Sequence, residues 1–314
     1  MASWWASPHT TSMFNHSIHG HPWLERATST SVAIPASQTG TSPPNRSCSR
    51  NVVAYRRRGV RLLLVSDLHY VLPQFDWVVE AAPDYDVVVI AGDSLDVSSS
   101  VPLDAQSVVV LRYAELVGAR TRVVISSGNH DLTGPDAQGE QCALWLDEAR
   151  VRHIATDGDS VLVGDTLITV CPWWDGPIGR ESVDALLRRD AERRRARWVW
   201  VYHWPPVGSG TSWTGKRSYG DPDVLAWIDE LRPDIVLTGH VHQSPFKPDG
   251  RWVDRIGDTW VFNAGNQIGK TPAHIDIDID VDIDDGAATA TWISMLGLEH
   301  QDLTAPVAAE RTVF

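Results

Sequence analysis

Five short aliphatic runs, each ending on the same few polar residue types, constrain this chain most. "RLLLVS" runs into Asp67-Leu68-His69, and "DVVVIAG" into Asp93, with Asp96 three residues on. "RVVIS" runs into Gly128-Asn129-His130-Asp131, "WVWVY" into His203, and "DIVLTG" into His240-Val241-His242. Runs of four to eight β-branched and aliphatic residues bounded by turn residues read as buried strands. Helical patterns fall between and around them, at Gln74–Ala82, Asp104–Val117, Cys142–Glu148, Ser182–Arg195 and Pro222–Leu231. Strand–helix–strand repetition implies a largely parallel sheet, so the fold class is α/β, shading to α+β. In such folds the ligand-bearing residues belong on loops at the carboxyl ends of strands, where these polar residues lie.

The remaining strands are expected at Thr166–Cys171, Thr259–Asn263, His274–Ile283 and Ala288–Ile293. The strand-rich last third predicts an antiparallel second layer. Within it, "IDIDIDVDIDD" (275–285) alternates Ile or Val with Asp, which reads as one half-buried strand. A carboxylate row on one face of a strand cannot wrap a calcium ion, but it discourages edge-to-edge pairing.

Charge divides the chain. Residues 1–59 hold six Arg, one Glu and no other charged residue, and are rich in Ser, Thr, His and Pro without periodicity. Such a stretch buries too little apolar surface to offset its conformational entropy and is expected to be a disordered leader. Its four histidines (His9, His16, His19, His21) imply no more than adventitious metal binding. Residues 60–314, the expected folded domain, hold 21 basic against 39 acidic residues, a net charge of −18. That charge disfavours a nucleic-acid polymer or an anionic membrane as partner. No apolar run approaches the roughly 18 residues of a spanning helix. Three scattered cysteines (Cys48, Cys142, Cys171) with no CxxC exclude a thiolate zinc site and fit a reducing, cytoplasmic compartment.

Carboxylate, amide oxygen and imidazole without thiolate suit Mn, Fe, Zn and similar divalent ions. Residues two apart on a strand share a face, so Asp67 with His69, and His240 with His242, can point into one site. Gathering so many carboxylates and imidazoles at one rim is costly unless cations neutralise them. A single histidine at a strand end is ordinarily a satisfied surface residue; five strand ends carrying the same chemistry are not explained that way.

In this order, Asp67-x-His69, Gly92-Asp93-x-x-Asp96, Gly128-Asn129-His130-Asp131, His203 and Gly239-His240-x-His242 resemble the calcineurin-like metallophosphoesterases, over about residues 60–265. The resemblance implies a four-layer fold: a central two-sheet β-sandwich flanked by helices, with a binuclear metal centre at one rim. It implies that Asp67, His69 and His242 bind one metal, that Asn129, His203 and His240 bind the other, and that Asp93 bridges them. His130 resembles the family's catalytic histidine, with Asp131 orienting its imidazole. Asp96 is a supporting residue or a turn cap. Two divalent ions (Mn, Fe or Zn) sharing a bridging hydroxide would then attack a phosphate ester, with His130 as acid or stabiliser.

The activity implied is hydrolysis of a small phosphate ester, first of all a phosphodiester. The GNHD block followed by Leu132-Thr133-Gly134 weakens a protein-phosphatase reading, which with phosphomonoesterase is the nearest alternative. A non-catalytic metal-binding scaffold is the alternative of another class, but no ligand or histidine is missing. An insertion at about 172–220 is expected to shape the substrate site. Within it Trp173, Trp174, Trp204 and Trp213 are candidates for a stacking wall and Lys216 and Arg217 for a phosphate contact, against plainer readings as core tryptophans and solvated loop charges. The basic run at 193–195 reads as an exposed helix face. No protein partner is legible.

Overall fold

A computed structural model describes residues 59–279 and 288–307. In chain order the elements are β1 (Val60–Val65), α1 (Leu72–Ala81), β2 (Val87–Ala91), α2 (Leu103–Gly118), β3 (Arg122–Ser126), β4 (Gly134–Pro135), β5 (Gln141–Cys142), α3 (Trp145–Val151), β6 (Ser160–Val163) and β7 (Thr166–Val170). They continue with α4 (Pro177–Ala191), β8 (Arg197–Val201), α5 (Pro222–Leu231), β9 (Ile235–Thr238), β10 (Val253–Ile256), β11 (Thr259–Asn263), β12 (His274–Ile279), β13 (Ala288–Ser294) and β14 (Gly297–Asp302). The leader, including its four histidines, and positions 280–285 of the Ile/Asp run lie outside the described residues.

Two six-stranded sheets form the centre, ordered β14-β13-β12-β1-β2-β3 and β10-β11-β9-β8-β7-β6. Their facing sides bury Leu62, Leu64, Val89, Val170, Val199, Leu237 and Phe262 in one apolar core. The outer side of the first sheet packs on α1, α2 and α3 through Phe75, Val78, Val110, Ala114 and Leu146. The outer side of the second packs on α4 and α5 through Val183, Leu187, Trp198, Trp200 and Trp227. The result is the helix–sheet–sheet–helix sandwich expected. Both faces of the central strands are covered, which is why they read as continuous apolar runs.

The last third differs from its expectation. It builds no separate layer: β12, β13 and β14 extend the first sheet as an antiparallel meander that starts beside β1, while β10 and β11 complete the second. In β12 the alternation holds, with Ile275, Ile277 and Ile279 fully buried. Asp276 and Asp278 turn to Arg61, at 3.3 and 3.6 Å. Because β12 lies between β1 and β13, those carboxylates protect no edge; they balance a neighbouring cation. Strands β4, β5, β6, β10 and β14 are too short or too polar to stand out in the sequence, and α4 starts at Pro177, ahead of the expected Ser182. Proline is suited to a first helical turn because it has no N–H to leave unpaired.

Candidate metal centre

Parallel strands β1, β2 and β3 of the first sheet and β8 and β9 of the second deliver the polar loops. Hydrogen bonds from Asp67 N to Gly92 O (3.1 Å) and from His69 N to Asp93 O (2.9 Å) join the loops after β1 and β2. Among the described residues, eight other than glycine have positive φ, and Asp67 (55°), His69 (43°), Asp93 (52°) and His240 (64°) are four of them. Backbone strain of this kind persists where the surrounding structure over-determines it, and it gathers at functional sites.

Glycines in three of the motifs are needed for space. A methyl at Gly128 would lie 2.2 Å from Asp93 Oδ1 and 2.7 Å from His203 Cδ2. At Gly239 it would lie 2.6 Å from Asp67 Oδ2, and at Gly92, where φ is also +84°, 2.3 Å from His203 Nδ1. The side chains that the strands present are therefore pressed against backbone, which admits no Cβ.

Two clusters result. In the first, His242 Nε2 is 3.1 Å from Asp67 Oδ1 and 3.0 Å from His69 Nε2, and His69 Nε2 is 3.9 Å from both Asp67 Oδ1 and Asp93 Oδ2. In the second, His203 Nε2 is 3.2 Å from Asp93 Oδ2, and one ligand atom each from Asp93, His203 and His240 fall within 4.8 Å of one another. Asp93 Oδ2 thus belongs to both, while its Oδ1 accepts the His130 N–H at 2.8 Å and so ties in the loop that carries Asn129. Asp67, Asp93 and His203 are at most 1% exposed. Asn129 Oδ1 and His240 Nε2 are buried without a hydrogen-bond partner, and His203 Nε2 is buried with only carboxylates beside it. Such orphans are costly unless something absent from the protein chain satisfies them. The donor set, oxygen and imidazole with no sulfur, suits hard to borderline divalent cations. The structure therefore gathers Asp67, His69, Asp93, His203, His240 and His242 at one rim, a donor set that fits divalent cations.

Electrostatics agree. Burial raises the Asp67 carboxyl, but the His242 hydrogen bond and the surrounding imidazoles outweigh it and hold Asp67 well below the usual carboxylate range. Burial alone would lower His203, yet the Asp93 and Asp67 carboxylates lift it to about 9. His240 goes the other way: burial, with repulsion from His203, pushes it down to about 4. His203 Nδ1 is 2.6 Å from Ala91 O, a contact that fixes the ring and turns Nε2 to the site.

The two expected catalytic residues separate. His130 sits beside His69, with ring centroids 4.6 Å apart. Asp131, however, does not orient it. The fully buried Asp131 carboxylate accepts backbone N–H groups of Leu95 (2.9 Å), Gly128 (2.9 Å) and Ser94 (3.3 Å), stitching the loops after β2 and β3. Burial, with Asp93 nearby, pushes it up to about 7. The carboxylate facing the His130 imidazole is that of Asp96, 3.5 Å from Nδ1, with Val97 N at 3.3 Å. Asp96 also caps its own turn, accepting Ser98 N–H at 2.8 Å. Asp96 thus caps its turn, the alternative role expected for it, and also lies beside the His130 imidazole.

Sequence reasoning missed the residues that hold these loops. Gln106, buried on α2, clamps Asp96 from both sides: Oε1 accepts Asp96 N–H and Nε2 donates to Asp96 O. Asn263, buried at the end of β11, donates from Nδ2 to Thr211 O, Gly239 O and Val241 O, and so shapes the His240–His242 turn. Asn266 Nδ2 donates to Asp67 O. The only signal for the two asparagines is "FNAGN", a strand that ends on asparagine and glycine.

The expected substrate residues separate too. Trp173 and Trp204 stack at 5.2 Å, and each ring lies beside His240, at 5.2 and 5.3 Å. Tyr219, which sequence reasoning did not single out, stacks on His240 at 5.4 Å. Trp174 packs instead on the core under α4 and α5. Trp213 donates its indole N–H to Pro248 O. Lys216 and Arg217 are exposed, and the Arg217 guanidinium lies over the Tyr219 ring at 5.6 Å. The β4–β5 hairpin, directly after Asp131, reaches across to α4: the Glu140 carboxylate accepts the N–H groups of Ile178 (2.9 Å) and Gly179 (2.6 Å).

The family model for calcineurin-like phosphoesterases matches residues 60–244. This chain belongs to that family. Among solved structures, TT1561 of Thermus thermophilus superposes with a TM-score of 0.51 at 15% identity, over 78% of this chain and 99% of that one. Vps29 from Entamoeba histolytica, complexed with zinc, gives 0.37 at 13% identity, over 77% and 99%. YfcE, a phosphoesterase from E. coli, gives 0.32 at 15% identity, over 81% and 98%. None of the curated proteins compared with the chain matches it.

Proposed function

We propose that this protein hydrolyses a small phosphate ester, with a phosphodiester preferred, using two divalent cations of the Mn, Fe or Zn type. Asp67, His69 and His242 would hold one cation, Asn129, His203 and His240 the other, and Asp93, through Oδ2, would serve both. The observation that carries this reading is the pair of buried, unpartnered atoms Asn129 Oδ1 and His240 Nε2 beside the crowded Asp67, Asp93 and His203 side chains. Bound there, such cations would supply the acidity that makes water a nucleophile and the positive charge that offsets phosphoryl oxygens. The chain itself supplies the rest. His203 is locked in tautomer and orientation by Ala91 O. His130, whose Nδ1 lies beside Asp96 and accepts the Val97 N–H, would present Nε2 to the departing oxygen as the atom that passes it a proton.

A cytoplasmic location is part of the same proposal. It is supported by the free thiols of Cys142 and Cys171, and no described helix is long and apolar enough to cross a membrane. The test is metal analysis together with hydrolysis of bis-p-nitrophenyl phosphate and p-nitrophenyl phosphate in added Mn. Two metals per chain and faster diester cleavage are expected. Faster monoester cleavage would make the protein a phosphomonoesterase, and metal without turnover of either would make it a scaffold.

A further inference from the structure

The turn after β11, "FNAGN", is fastened on both sides of Asn266 by groups that are not candidate ligands. On one side the buried Asn263 accepts Gly265 N–H at Oδ1 (2.8 Å), and Trp292 Nε1 donates to Ala264 O (2.9 Å). On the other, Gln74 Nε2 donates from α1 to Gln267 O (2.8 Å) and Gly269 O (3.2 Å). Asn266 itself turns to the rim. Its Nδ2 donates to Asp67 O at 2.5 Å, and its backbone N–H to His242 O at 3.3 Å. The approach is close: a methyl on the preceding Gly265, where φ is +71°, would lie 2.9 Å from the same His242 O. One residue thus grips the backbone of two candidate ligands, and both need support. Asp67 is held at φ 55°, a strained setting that persists only where neighbours over-determine it. The His242 side chain is 37% exposed, against 13% for His69 and 0% for His203, so packing constrains it least of the three. Neither bond from Asn266 reaches Asn129, His203 or His240.

We propose that Asn266 is a positioning residue for one cation of the pair, the one assigned to Asp67, His69 and His242, and that it makes the two cation sites unequal. The inference rests on the phosphoesterase reading above. By fixing the peptide plane at Asp67 and the carbonyl of His242, Asn266 presets the directions in which both side chains leave the backbone. Groups that orient a ligand in this way are worth about 10- to 100-fold in metal affinity. The other site takes its order from different residues. Ala91 O fixes the His203 ring, Asp93 Oδ1 holds the loop of Asn129 through His130 N–H, and Asn263 shapes the turn of His240.

The test titrates Mn into the metal-free protein by calorimetry, in single variants and in pairs. The unaltered protein is expected to show two binding events. Asn266→Ala should weaken one of them by about 10- to 100-fold and leave the other within about twofold. Pairing assigns the event. With His240→Ala, which gives up the other cation, Asn266→Ala should still cost about 10- to 100-fold. With His69→Ala, it should change the remaining event by less than about twofold. Gln267→Ala removes bonds of the same turn to Thr271 O and Met295 N but none to a candidate ligand, and should leave both events as they were. Equal weakening of both events by Asn266→Ala, the same loss from Gln267→Ala, or no loss at all overturns the inference and leaves the phosphoesterase reading standing. Fewer than two events in the unaltered protein removes that reading and this one together.

Discussion

The rim of loops that carry the candidate ligands and the aromatic arm of residues 204–221 beside it are both loop structure at strand ends, and they are held in opposite ways. At the rim, side chains are buried, backbone is strained at four of the candidate ligands, and glycines leave no space for a single methyl. In the arm the backbone is tied by its own turn hydrogen bonds, while Tyr219, Lys216 and Arg217 remain exposed. A site that must hold charges in fixed geometry needs support from all sides. Rim and arm meet at His240, which stands at the rim and carries the arm's rings on its sides.

Substitutions can break this contrast. The largest effect is expected for Asp93→Ala: with the shared carboxylate gone, metal content by emission spectrometry should fall from two to below one per chain, and activity to background. Two retained metals with normal turnover would refute the bridging role. His130→Ala should lower kcat by about 10²–10⁴-fold while both metals stay. Loss of a metal would instead make His130 a ligand, a role that its grouping with His69 and Asp96 keeps geometrically open.

Acidity sharpens the comparison next. In the metal-free protein His203 is raised to about 9, so below that pH a cation must displace a proton from it. Metal affinity, measured by calorimetry, should therefore rise with pH by up to about tenfold per unit between pH 7 and 9 and then level off. The stability that imidazolium gives the metal-free protein runs the other way. It is fully present below the unfolded value near 6.5 and lost as pH rises through about 9. A metal-free melting temperature that climbs over pH 7–9 would contradict the assignment.

Two smaller effects test the two regions directly. Gly128→Ala should destabilise by about 1–3 kcal/mol in denaturant titration and weaken metal binding, because its Cβ would collide with Asp93 and His203. Tyr219→Ala in the arm should leave metal content unchanged and cost about 1 kcal/mol or less. If Tyr219→Ala loses metal as readily as Gly128→Ala, rim and arm are one unit.

The candidate ligand set was legible because its chemistry is local: each residue follows a buried strand within a few positions, and the strand itself is plain in the aliphatic run. Of the strands in the last third, β11, β12 and β13 were legible singly, but not in their sheet assignment. Asp131 and Asp96 show the limit most clearly. In sequence Asp131 adjoins His130 and looks like its partner; in space it points away to three backbone N–H groups, and Asp96, from the loop after another strand, takes that position. Gln106 bears no sequence signature, and Asn263 only the faint one of a strand ending on asparagine and glycine, since a buried amide gains its meaning from the carbonyls and N–H groups that folding sets around it.

The sequence by itself determined which donors this protein carries: oxygen and imidazole groups in number, presented after strands. Only the tertiary structure decided which donors share a site, which carboxylate faces His130, and that Tyr219 stands beside His240. Periodicity and residue type act over a few positions, whereas hydrogen-bond direction and ring contact are set by segments tens to hundreds of residues apart.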